Sequence, residues 1–394
     1  QEVTKEYKES IQMIKKLINK NYTKDNLTYL ADLYLKDGNI YKWKEYFDKA
    51  IELNTSATGF YSTVSKTYVE LQKYSAAEVY LNKAIEIAPT HSSLYADLGQ
   101  IYRLKNEKLK AVEAYKKALE LNVLDYDSGE QIFELTDAES PREYFEKTSI
   151  KDIVKNSSSR EDYPDDDAVI LHNELKRVVF PNGRSFSVEE MVIKPFNQKG
   201  IDAFKEFTIG LNSNNQRYII EESYVLKSDG TRVESENNKN TCIFKTLEEN
   251  DIIVLRWKLK NYNSGMLLTH FWDAFYFNSV YPIKHVSYSV FIPAGREFTF
   301  KQRNMNTEST ITEKPDGKIY TWQANDIPAI ESEYQMPDFE DISKILYVSG
   351  IPDWEYLVNW YAKIANPKTK VTYEIEELVA ELLDGKEDFS DTEK

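Results

Sequence analysis

The chain changes its hydrophobic grammar near residue 150. Before that point apolar residues recur at the spacing of an amphipathic helix, and after it they alternate with polar ones in short runs, the period of a strand. In residues 4–19 (TKEYKESIQMIKKLIN), Tyr7, Ile11, Ile14 and Ile18 share one side of a helix. Much later, Ile253, Leu255, Trp257 and Leu259 alternate with Arg256, Lys258 and Lys260, which predicts a half-buried strand. Only Pro89 and Pro141 of the 12 prolines, and Trp43 of the 6 tryptophans, precede residue 150.

The helical part is periodic. Tyr34, Tyr68 and Tyr102 lie 34 residues apart, and so do Ala50, Ala84 and Ala118, which open the tetrapeptides AIEL, AIEI and ALEL. A fixed period of that length predicts a helical solenoid, because each unit can bury its apolar face only against its neighbours. The third unit, 92–125, places Tyr95, Leu98, Gly99, Tyr102, Ala111, Tyr115 and Ala118 so that small residues fall where paired helices approach. The second, 58–91, has Tyr61, Tyr68, Ala77, Leu81, Ala84 and Pro89; the first, 24–57, has Leu30, Tyr34, Phe47 and Ala50, with Trp43 at a small-residue position. These positions resemble the tetratricopeptide repeat. The helix at 4–19 reads as the second helix of a partial unit or as a cap. Leu124 to Leu135 and a segment N-capped by Ser140, with Pro141 in its first turn, predict further helices closing the solenoid near 155. The polar stretch 156–162 reads as a linker.

From 163 to 350 the turn signals Pro181-Asn182-Gly183, Ser228-Asp229-Gly230 and Pro315-Asp316-Gly317 separate apolar runs, favouring hairpins and an antiparallel β-sandwich over a barrel. The segments YPDDDAVIL (163–171), VLKSDGTRV (225–233), FNSVYPIKHVSYSVFIPAG (277–295), WQANDIPAIESEYQMPDFED (322–341) and ILYVSGIPDWEYLVNWY (345–361) resemble domain of unknown function 3857. That resemblance covers about 160–360. It implies an immunoglobulin-like β-sandwich of secreted or periplasmic bacterial proteins, set before a transglutaminase-like core that holds any Cys-His-Asp chemistry. Residues 351–394 then resemble the helical lead-in to that core, which would lie beyond Lys394. The expected fold class is therefore α + β and multidomain: a helical solenoid, an antiparallel sandwich and a short C-terminal helical segment.

Composition narrows the function. The 394 residues carry 50 Lys+Arg against 65 Asp+Glu, a net charge of −15, with no basic run, which argues against general nucleic-acid binding. The single Cys242 excludes an internal disulfide, and the wide spacing of His91, His172, His270 and His285 argues against a zinc cluster, so no metal or cofactor is expected. No apolar stretch reaches the roughly 18 residues of a membrane span. A start at Gln1 is read as a removed leader or a trimmed chain. Phosphate-loop, dinucleotide, zinc-protease and serine-hydrolase motifs are missing from the sequence.

Four candidate features remain. Cys242, within NTCIF, reads as a strand cysteine rather than a nucleophile at a helix start. Asp165, Asp166 and Asp167 lack the alternating ligands and glycine of a calcium loop and read as a solvated turn. Residues 271–277 pack five aromatic rings; burial is favoured, while exposure of Phe271, Trp272 and Tyr276 would make a glycan or protein patch. The tetratricopeptide resemblance places repeat positions 2, 5, 9 and 12 in a groove: Asp25, Thr28, Asp32 and Leu35; Gly59, Ser62, Lys66 and Val69; Ser93, Ala96, Gln100 and Arg103. Chaperone-docking repeats present Lys and Asn at fixed positions, and here position 5 is never Lys and position 9 never Asn. An acidic C-terminal tail is therefore not the expected ligand.

The leading expectation is a non-catalytic scaffold region of a larger bacterial envelope protein, periplasmic or extracellular, with cytoplasmic as the fallback. Its groove recruits a protein or peptide, and its sandwich positions a downstream domain. The alternative is the substrate-recruiting part of a transglutaminase-like cysteine protease or crosslinking enzyme; the array as a spacer packed on its own chain and a glycan-binding sandwich are the remaining readings.

Overall fold

A computed structural model describes residues 2–53, 58–136, 138–262, 268–331, 333–368 and 371–383. It divides into two units, Gln1–Glu143 and Tyr144–Lys394.

In the first unit, α1 (Glu2–Lys20) is followed by α2 (Lys24–Lys36), α3 (Ile40–Glu52), α4 (Thr58–Glu70), α5 (Tyr74–Ile87), α6 (Ser92–Leu104), α7 (Lys108–Leu121) and α8 (Tyr126–Thr136). Short polar caps start the first pair: the Thr23 side chain accepts from the Asn26 amide, and Asn39 Oδ1 accepts from the Lys42 amide at 3.1 Å. Ile11 and Ile18 of α1 are buried, with Tyr7 and Ile14 packed beside them, on the side that their spacing predicts. The 34-residue period becomes ring geometry. Tyr34 stacks on Tyr46 at 5.5 Å and Tyr68 on Tyr80 at 5.6 Å. The third unit has Ala114 where those partners stand, so Tyr102 instead lies beneath Lys105 and Lys110 and donates to Glu78 at 3.1 Å. Trp43, at a small-residue position, is fully buried and meets the edge of Tyr68 at 5.3 Å. A Cβ on Gly99 would stand 2.7 Å from the Tyr115 ring, so the close approach of α6 and α7 requires glycine there.

The expected helix after Ser140 is a single turn. Glu143 N donates to Ser140 O at 2.7 Å, but Tyr144, one residue on, is buried edge-on to Phe291 at 5.3 Å in the second unit. That contact moves the division to 143/144 rather than 155. The expected linker 156–162 is likewise tied down, since Lys194 Nζ donates to Ser158 O at 2.9 Å.

The second unit begins with α9 (Ile150–Lys155). It continues through β1 (Ala168–Val179), β2 (Ser185–Pro195), α10 (Gln198–Phe204), β3 (Glu206–Thr208), β4 (Gln216–Leu226), β5 (Arg232–Glu234), β6 (Glu236–Asn238), β7 (Thr241–Ile243) and β8 (Ile252–Asn261). After these come β9 (Trp272–Tyr276), β10 (Ile283–Pro293), β11 (Thr299–Arg303), β12 (Thr310–Lys314), β13 (Gly317–Ile327), α11 (Phe339–Ile342), β14 (Ile345–Ser349), α12 (Trp354–Ala365) and α13 (Tyr373–Leu383). An eight-stranded sheet runs β12-β13-β10-β1-β2-β8-β4-β5, and two three-stranded sheets run β11-β14-β9 and β3-β7-β6. Among the described residues, pairing is antiparallel except for β1 with β10, which is parallel.

The small sheets pack on one face of the large one, sharing a core that includes Ile253, Trp257, Tyr288, Phe275, Leu346 and Cys242. The second layer of the sandwich is thus split between two sheets. The hairpins form at all three predicted turns; at Gly183, φ is +86° and a Cβ would press on the Thr269 backbone at 2.4 Å. β8 departs from the half-buried expectation. As an inner strand it is covered on both faces, with Ile252 and Val254 in a second cluster and Lys258 packed over the Phe186 ring at 4.3 Å.

Candidate functional site

The first helices of the three repeats, α2, α4 and α6, divide their faces cleanly. Leu27, Leu30, Ala31, Val64, Tyr68, Leu94, Leu98 and Ile101 are buried. None of the twelve groove positions is: Asp25, Gly59, Lys66, Ser93, Gln100 and Arg103 are exposed, and Thr28, Asp32, Leu35, Ser62, Val69 and Ala96 are half-buried. Lys66 Nζ lies 3.4 Å from Asp97 Oδ2, so the polar faces of α4 and α6 adjoin across consecutive repeats. Burial pushes the Asp32 carboxyl above its ordinary range, with Lys36 pulling the other way. The face is therefore polar and mixed in sign, with Asp25 and Asp32 on α2 and Lys66 and Arg103 on the later helices. Such a surface can hold an extended peptide by hydrogen bonds and paired charges.

The aromatic run does not form a patch. β9 obeys its period of two: Phe271, Phe275 and Phe277 are buried with Asp273 turned the same way, whereas Trp272 is 51% exposed. Tyr276, on the Trp272 side, donates to Glu340 Oε1 at 3.1 Å. Phe271 is thus withdrawn from the surface that it was considered to share with Trp272 and Tyr276.

Cys242 is fully buried in β7, and burial pushes its thiol up, against the pull of Ser223 and Ser235. A nucleophile needs the opposite. The three aspartates lie in the turn entering β1, where Asp167 Oδ1 accepts from Asn197 Nδ2 at 2.7 Å and Asp165 is exposed. His270 is engaged at both nitrogens, 3.1 Å from Gly350 O and 2.7 Å from the Tyr356 hydroxyl. His172 and His285, far apart in sequence, stack at 5.3 Å. Among the described residues no helix is long and apolar enough to cross a membrane.

A tetratricopeptide family model matches residues 28–56, 59–91 and 92–122, and the model of a domain of unknown function with a solved structure, DUF3857, matches 237–331. The chain is similar to Heat shock protein STI1 of Saccharomyces cerevisiae, at 35% identity over 104 residues, 24% of this chain and 18% of the yeast protein. It therefore spans under a fifth of that relative's length. A solved structure described as a candidate protease from Parabacteroides distasonis is 18% identical, with a TM-score of 0.48 over 55% of this chain and 46% of that one. The first TPR of Spaghetti (RPAP3), bound to the HSP90 peptide SRMEEVD, is 17% identical, with a TM-score of 0.27 over 30% of this chain and 93% of that one. Residues 28–122 are a tetratricopeptide repeat array, and residues 237–331 are a DUF3857 segment.

Proposed function

We propose that the face built by Asp25, Thr28 and Asp32 of α2, Lys66 and Val69 of α4, and Gln100 and Arg103 of α6 recruits a protein or peptide partner. The observation that carries this reading is the burial pattern: the opposite faces of these helices are consumed by packing, while all twelve groove positions keep solvent access. A spacer packed through this face would need apolar residues there. In this reading the chain is a non-catalytic scaffold of a larger bacterial envelope protein, periplasmic or extracellular, and its sheet unit positions a neighbouring domain. Large side chains on α12 and α13 support the last point, since Trp354, Val358 and Tyr361, then Tyr373 and Leu378, are all more than half exposed. A transglutaminase-like cysteine enzyme, with this chain as its substrate-recruiting part, is the second reading; those same apolar faces favour it.

The test is capture of a partner by the full chain from an envelope fraction of source cells, repeated with Lys66→Glu/Arg103→Glu. Both side chains are exposed, so the double variant should stay folded although it loses the Lys66–Asp97 pair, and its melting curve checks this. Loss of the partner in that variant supports the reading, and retention defeats it. The peptide SRMEEVD serves as a second probe. Position 5 is Thr28, Ser62 or Ala96 and position 9 is Asp32, Lys66 or Gln100, so no lysine–asparagine clamp is present at these positions and binding should be weak. Submicromolar affinity for it would make an acidic chaperone tail the ligand.

A further inference from the structure

The face of the large sheet turned away from the Cys242 core carries a row of polar residues across neighbouring strands. Glu174 of β1 is the register partner of Glu190 of β2, Glu190 of Arg256 on β8, and Arg256 of Glu222 on β4. Two irregularities build the row. The register of β1 shifts between Ile170 and His172, and that of β4 between Ile220 and Glu222. Ile170 and Ile220 point into the core beneath, so an unbroken alternation would have sent His172, Glu174 and Glu222 there too; each bulge turns them outward.

At the centre of the row three ligand-type atoms face one another. His172 Nε2 stands 3.7 Å from Glu174 Oε2 and 3.8 Å from Glu190 Oε1, and one ligand atom from each residue lies within 4.8 Å of the other two. His172 is 6% exposed and Glu190 4%. Among the described residues, neither His172 Nε2 nor Glu190 Oε1 has a hydrogen-bond partner, although both are buried. A buried, unpaired nitrogen and oxygen aimed at each other are costly unless something lies between them. The separations are too long for a direct hydrogen bond. They are close to the separation of about 3.4 Å between two ligands that each stand about 2.1 Å from a tetrahedral ion.

We propose that His172, Glu174 and Glu190 bind a divalent transition-metal ion, with zinc(II) as the matching probe for one imidazole and two carboxylates. The two carboxylates are already held in place. Thr148 Oγ1 and Lys176 Nζ donate at 2.6 and 2.7 Å to Glu174 Oε2, the same oxygen that faces His172, and Arg256 Nε donates at 2.6 Å to the far oxygen of Glu190, Oε2. His285 stacks flat on His172 at 5.3 Å, with an interplanar angle of 10°, and is itself fixed by a 2.7 Å contact from Nδ1 to Asn325 Oδ1. These contacts orient the ligands as outer-shell partners do in metal sites.

The experiment is calorimetric titration of the untagged, chelator-stripped full chain with zinc chloride, together with X-ray absorption of the loaded protein. One ion per chain is expected, with a nitrogen and oxygen shell free of sulfur. His172→Ala and Glu190→Gln should each weaken binding roughly tenfold or more, with His270→Ala unchanged. If either variant fails to fold by circular dichroism, the absorption spectrum of the unmutated chain decides. A chain that takes up no zinc overturns the proposal. Full binding in a folded His172→Ala chain, or sulfur from Cys242 in the shell, overturns it as well.

Discussion

Arg177 and Asp273 meet between the large sheet and β9, where Nε and Nη2 of the arginine both donate to one carboxylate oxygen, Oδ2, at 3.1 and 2.8 Å. Tyr288 donates a third hydrogen bond to the same atom at 3.0 Å, and the guanidinium lies 5.6 Å from the Phe271 ring centre. The two charges belong to strands that share no register, so this contact ties the layers together. Removing one partner strands the other charge in the interior. Asp273→Ala should therefore cost about 3–5 kcal/mol, and replacing both residues by apolar ones should cost less than that single change. Urea midpoints of the three chains check this.

The same cluster predicts an alkaline limit. Burial raises the Tyr288 phenol well above its ordinary value, with Asp273 adding to the rise and Arg177 opposing it. A group whose folded pKa is raised contributes its full stability below the unfolded value, near pH 10, and loses it as the pH climbs from there through the folded value. Stability should fall above about pH 10 by at most ~1.4 kcal/mol per pH unit from this residue. Tyr288→Phe should flatten that part of the curve, read from denaturant midpoints at stepped pH.

Two glycines on the repeat helices should respond oppositely. Gly99→Ala drives a Cβ into the Tyr115 ring and should destabilise by about 1–3 kcal/mol. Gly59 of α4 has nothing within 4 Å of that position, so Gly59→Ala should stabilise by up to ~1 kcal/mol through helix propensity. Opposite shifts in melting temperature confirm the packing of the third unit.

Strand β9 and the residue that follows it offer a matched pair of aromatics. Phe277→Ala empties a fully buried site and should cost about 3–5 kcal/mol. Trp272→Ala, at a side chain 51% exposed, should change stability by about 0.5 kcal/mol or less. Equal losses in chemical denaturation would mean that Trp272 is covered.

Much of this was legible in the sequence because it rests on local signals. The tyrosine period became ring stacks at Tyr34 and Tyr68, the Pro-Asn-Gly and Pro-Asp-Gly turns became hairpins, and Cys242 is buried in a strand. The misses share a cause: each depends on a partner distant in sequence. Ser140 looked like a helix start until Phe291 claimed Tyr144. Lys258 looked solvated because its aliphatic stem and the Phe186 ring meet only through strand pairing. His172, Glu174 and Glu190 carry no spacing motif, since two lie on one strand and the third reaches them only through its register. A one-residue bulge leaves no trace in composition.

The parallel pairing of β1 with β10 also sets an order of events on the ribosome. Repeat helices contact their sequence neighbours and can close as they emerge, unit by unit. β1 joins β2 early, but its other edge waits for β10, since Ile170 pairs with Ile283 and Val178 with Phe291. Until those residues have been synthesised, β1 presents an open row of amides and carbonyls along one edge. That interval is when the chain is most exposed to edge-to-edge aggregation and most in need of a chaperone.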